Sequence, residues 1–85
     1  MREEKNEMEL VFEGEETLVP VIKRYLLEDE DVEMAAFRRE HPLTGKITLF
    51  VRTKRGSPRE AVRRALERIR ADLKQFLKEF KSMKI

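Results

Sequence analysis

The stretch SPREAVRRALERIRADLKQFLKEFKSM, Ser57 to Met83, decides how the chain folds. Ser57 suits the N-cap of a helix, since its hydroxyl can accept from a free backbone N–H of the first turn, and Glu60 completes a Ser-x-x-Glu capping box. Pro58 falls at the first helical position, where a missing N–H costs nothing. Val62, Ala65, Leu66, Ile69, Leu73, Phe76, Leu77 and Phe80 then recur at intervals of three and four, so they share one stripe, and charged residues fill the other faces. At about 1.5 Å per residue the helix spans about 35 to 40 Å, roughly twice an ordinary strand. A small sheet cannot cover such a stripe, so somewhere between Leu66 and Phe80 the chain's own core should give way to a partner.

The preceding sequence reads as a platform for this helix. Met8, Leu10 and Phe12 alternate with Glu7, Glu9 and Glu13, which predicts a strand over Asn6–Glu13 with one buried face. Thr17 is a candidate N-cap for a short helix to about Glu28 or Asp29. Its expected stripe is Leu18, Val21, Ile22, Tyr25 and Leu26, and Pro20 is tolerated in the first turn. The acidic run Glu28–Asp31 is assigned to the following turn, because negative charge is unfavourable at a helix C-terminus.

Val32, Met34 and Ala36, alternating with Glu33, Ala35 and Phe37, predict a second strand to about Arg39. His41-Pro42-Leu43-Thr44-Gly45 has turn chemistry. Ile47, Leu49 and Val51, with Phe50 on the opposite face, form a third strand. The expected fold is α+β: a β-α-β-β-α order with an antiparallel three- to four-stranded sheet and two helices on one face, residues 1–85 making a single domain. The last two strands must be antiparallel neighbours, and the open sheet face should carry Phe37 and Phe50.

Composition narrows the function. The 85 residues include no cysteine, which excludes disulfides, thiolate metal sites and a cysteine nucleophile. His41 is the only histidine, too little for a structural zinc site. Glu28–Asp31 lacks the glycine and ligand spacing of a calcium loop. Lys54-Arg55-Gly56-Ser57 lacks the glycine spacing of a phosphate loop. No catalytic residue, cofactor site or metal site is expected, so the chain does not read as an enzyme. No apolar run reaches the length needed to span a bilayer, and a soluble, cytoplasmic protein is expected.

Charge is uneven. Residues 1–53 carry 8 basic and 13 acidic side chains, and residues 54–85 carry 11 and 4. A basic helix face of Arg55, Arg59, Arg63, Arg64, Arg68, Arg70 and Lys74 would suit a nucleic-acid binder, but no aromatic residue interleaves with it as a stacking platform requires.

Val32-Glu33-Met34-Ala35-Ala36-Phe37, then His41-Pro42-Leu43, then Ser57-Pro58-Arg59-Glu60-Ala61 opening a terminal helix, resemble the subunit L family of archaeal RNA polymerases over nearly the whole chain. The family's strand Val-Glu-Phe-Ala-Ala-Tyr is similar to Val32–Phe37, its His-Pro-Leu turn is reproduced, and Glu13-Gly14-Glu15 before Thr17-Leu18 looks like its passage into the first helix. The chain departs from the family's Asp-His-Thr-Leu pattern at Glu15-Glu16-Thr17-Leu18, has Pro20 where an asparagine is usual, and has Lys23 where an arginine is usual.

The resemblance implies an alpha-like dimerisation fold and a non-catalytic subunit. Such a subunit forms a heterodimer with the larger alpha-like RNA polymerase subunit, designated D. The pair is the platform on which a DNA-directed RNA polymerase assembles with its other subunits, and the small subunit meets nucleic acid only through the complex. The expected partner interface is Leu66, Ile69, Leu73, Phe76, Leu77 and Phe80, together with His41, Pro42 and Leu43. The alternatives are a small nucleic-acid-binding protein using the basic helix face, and a paralogous dimerisation module outside the polymerase.

Overall fold

The computed structural model describes residues 2–3, 5–13, 17–41 and 45–83. Its elements are β1 (Arg2–Glu3), β2 (Glu7–Glu13), α1 (Leu18–Leu27), β3 (Val32–His41), β4 (Lys46–Thr53) and α2 (Pro58–Ser82). The strands form one antiparallel sheet in the order β1-β2-β4-β3. β4 therefore lies between β2 and β3, which run parallel to each other and are joined through α1, as a parallel pair requires. The two-residue β1 was not legible in the charged N-terminal sequence.

Alternation along β4 sets the core. Ile47, Leu49 and Val51 are buried toward the helices, opposite Phe12, Leu10 and Met8 of β2. From the helix layer, Val19, Ile22 and Leu26 of α1 and Ala61, Val62 and Ala65 of α2 complete the core. Val21, expected in the α1 stripe, is instead exposed and Val19 is buried. α1 touches both β3 and α2, and positions 19, 22 and 26 point into that junction whereas position 21 is turned away from it. Thr17 precedes the helix in αR geometry and caps nothing with its side chain.

A second difference arises in β3. The register slips between Val32 and Met34, and such a bulge reverses which side chains face the core. Val32 and Ala35 are buried and Phe37 packs against the core, while Met34 is exposed. Phe37 thus belongs to the helix side, with the Lys23 ammonium of α1 lying 5.3 Å from its ring centre. Phe50 does face the open side, under the Arg38 guanidinium at 5.6 Å.

The entry into α2 follows the sequence closely. Gly56 takes φ +73°, the Thr53 hydroxyl donates to its carbonyl at 2.8 Å, and the Ser57 hydroxyl accepts from the Glu60 N–H at 3.1 Å. Pro58 is buried at the first helical position. Ser57→Ala is expected to destabilise the fold by about 1 kcal/mol, read as a lower urea midpoint at unchanged m-value.

Candidate functional site: the exposed stripe of α2

Three residues of α2 at i, i+4 and i+8 bind it to the α1 side of the molecule. The Arg64 guanidinium donates to Asp29 at 2.9 Å and stands 3.6 Å from Asp31. Arg68 donates to Glu28 at 2.8 Å and to the Tyr25 carbonyl at 3.2 Å, with its guanidinium 5.3 Å from the Tyr25 ring centre. The Tyr25 hydroxyl donates to Asp72 at 2.6 Å, and that bond pushes the phenol above its ordinary pKa.

The acidic run after α1 is therefore a turn, as expected, and its carboxylates hold α2. Asp29 also accepts from the Asp31 N–H at 2.9 Å, while Asp31 pairs with Arg55 at 3.2 Å. The Arg64 hydrogen bond foremost holds the Asp29 carboxyl below the usual carboxylate range. A depressed carboxylate pKa contributes stability that is present above its unfolded value, about 3.9, and lost as pH falls through the folded value. Below about pH 4 the wild type should lose thermal stability more steeply than Asp29→Asn; parallel curves would remove this linkage.

Arg63 pairs within its own helix face, at 3.7 Å to Glu60 and 3.2 Å to Glu67. Of the residues considered for a nucleic-acid face, Arg55, Arg63, Arg64 and Arg68 are thus already engaged with carboxylates.

On the apolar side the burial changes abruptly. Pro58, Ala61, Val62 and Ala65 are buried and Ile69 is half-buried against the core. From Arg70 to Met83 every residue is exposed. Leu73 is 55%, Phe76 60% and Phe80 50% accessible, far from what large apolar side chains ordinarily show. Leu77 is also exposed, and the Phe76 and Phe80 rings stack at 6.4 Å. Own core therefore ends at Ile69, one turn before Leu73, and the last turns of α2 project beyond the sheet. That projection accounts for the extents of 48 × 36 × 15 Å.

Leu66 is exposed at the edge of the core and, with Leu10 and Val62, lines a groove of about 350 Å³ between α2 and β2. Beside it, among the described residues, β1 pairs with β2 at Met8 and Glu9. Among the described residues, Leu10 to Glu13 have no strand on that edge. Leu66 lines the groove and, at i, i+7 and i+11, shares a helix face with Leu73 and Leu77 of the projecting stripe. Leu10 and Met83, which is also exposed, extend this surface beyond the expected residues; for Leu10 the only sequence signal was alternation within its strand. The His41 backbone ends β3 opposite Lys46, on the sheet edge opposite the β2 side that borders the groove. Pro42 and Leu43 lie outside the described residues.

The family described as RNA polymerase Rpb3/Rpb11 dimerisation domain matches residues 7–79. The DNA-directed RNA polymerase subunit Rpo11 of Methanothermobacter thermautotrophicus is 39% identical over 82 residues, covering 95% of this chain and 94% of that protein. Its counterpart in Sulfurisphaera tokodaii is 36% identical over 85 residues, covering 98% and 91%. The crystal structure of DNA-directed RNA polymerase subunit L from Thermoplasma acidophilum superposes with a TM-score of 0.73 at 30% identity, covering all of this chain and 93% of that one.

Proposed function

The chain belongs to the RNA polymerase Rpb3/Rpb11 dimerisation-domain family, and from that premise we propose that it is the small alpha-like structural subunit of a DNA-directed RNA polymerase. Its task is to pair with the larger alpha-like subunit and so form the platform on which the catalytic subunits assemble. It adds no active site of its own, works as a single dimerisation unit over residues 1–85, and acts in the cytoplasm with the polymerase.

The observation that carries this reading is the bare stripe Leu73, Phe76, Leu77 and Phe80, which shares a helix face with Leu66 of the groove beside β2. Two stacked phenylalanines left in water lose the free energy that burial would return, about 1.5 to 3 kcal/mol for each such side chain. A partner helix lying along the stripe, with its sheet beside β2, would recover it. His41, Pro42 and Leu43 are assigned to a further part of the interface with that partner, on the family resemblance alone.

Co-expression with the larger alpha-like subunit, followed by size exclusion, tests the reading. A one-to-one complex that stays together on dilution is expected. Separate elution of two folded proteins would contradict it.

A further inference from the structure

A second surface lies on the face of α1 turned away from α2. β3 is an edge strand, and among the described residues nothing pairs with its outer side. Register slips at Val32/Met34 and Arg39/His41 bracket a regular window from Met34 to Arg39. Above this window Pro20, Lys23, Arg24 and Leu27, spaced i, i+3, i+4 and i+7, overhang the edge. With Phe37 as floor they line a groove of about 480 Å³.

Leu27 is 54% exposed. Lys23 covers the Phe37 ring, and neither it nor Arg24 has a carboxylate partner among the described residues. Among the described residues the one carboxylate lining the groove is Glu28, which is occupied by Arg68. The groove is therefore apolar at its floor and positive at its wall.

We propose that the groove between the free edge of β3 and α1 docks an extended acidic segment of another polypeptide as an added β-strand. An edge strand beside a helix is the arrangement in which peptides are taken up by strand addition: main-chain hydrogen bonds supply affinity, and pockets for alternate side chains supply specificity. Side chains on the helix side of the added strand meet Phe37, Leu27 and Pro20 where apolar, and Lys23 and Arg24 where acidic. The bulges at either end of the window confine pairing to a short segment, which keeps so long an edge from indiscriminate pairing. A nucleic acid would answer the charge but not the unpaired strand edge. The site is separate from the α2 stripe and does not depend on the heterodimer.

The test uses the full chain and a fluorescent peptide of about eight residues, with valine and glutamate alternating on one side of the strand and threonine on the other. Saturable binding is expected, weakened about tenfold or more by the surface double substitution Lys23→Glu/Arg24→Glu. It should be abolished by N-methylation of the peptide backbone and unchanged by Phe76→Ala/Phe80→Ala. Unfolding midpoints verify that the charge reversal leaves the fold intact. The proposal is overturned by absence of binding, by equal binding of a peptide with lysine for glutamate, by binding that survives N-methylation, or by self-association of the chain that the charge reversal disperses.

Discussion

Replacing Phe76 and Phe80 together with alanine is expected to weaken association with the larger alpha-like subunit by about 3 to 5 kcal/mol, roughly two to three and a half orders of magnitude in Kd. Aromatic residues at the centre of a desolvated contact dominate interface energies. Each ring here is half or more exposed in the chain alone, so most of its apolar area remains to be buried on binding. The rings stack at 6.4 Å, and neighbours in contact are not additive, so each single substitution should lose more or less than half of the total. Titration calorimetry reads the loss. The same double variant should unfold within about 0.5 kcal/mol of the wild type, because neither ring is part of the core. Weakened binding at unchanged stability separates a partner surface from a core.

Leu49→Ala is expected to do the reverse. Leu49 is fully buried at the centre of β4, between Leu10 and Phe37 on the flanking strands. Truncation removes transfer free energy and leaves a cavity, together about 2 to 5 kcal/mol. Single domains have only about 5 to 15 kcal/mol in total, and small ones stand at the low end. Urea unfolding should show the isolated variant largely or partly unfolded. A saturating partner should raise its midpoint, since binding to the native state alone stabilises by mass action. Leu77→Ala, on the exposed stripe, should leave the urea midpoint of the isolated chain within about 0.5 kcal/mol of wild type.

The contrast between these residues was largely visible in the sequence, because the helix signals at Ser57, Pro58 and the three-and-four spacing are local. They require nothing from the rest of the chain. The excess of stripe over sheet was likewise a matter of length. The point at which core ends was not, since it depends on where the sheet stops beneath α2, and on Asp72 being the last α2 residue bonded to α1.

Strand faces were less legible for a similar reason. The slip at Glu33 has no glycine or proline to announce it, yet it turns Phe37 from the open face to the core and creates the groove beside α1. Ion pairs joining Arg64 and Arg68 to the turn after α1 depend on two segments far apart in sequence meeting in space. Composition gave only the charges, and a basic helix face could as well have been read as free.

The absence of cysteine gives the most direct measurement of the central claim, that a partner covers the far stripe of α2. Leu73→Cys and Lys74→Cys each provide a single thiol, one on the stripe and one on the charged face beside it. Both should react rapidly with a thiol reagent in the isolated chain, because both positions are exposed. With the larger alpha-like subunit at saturating concentration, protection of the thiol at position 73 and continued reactivity at position 74 is the expected result. Equal reactivity at the two positions in the complex would contradict the account.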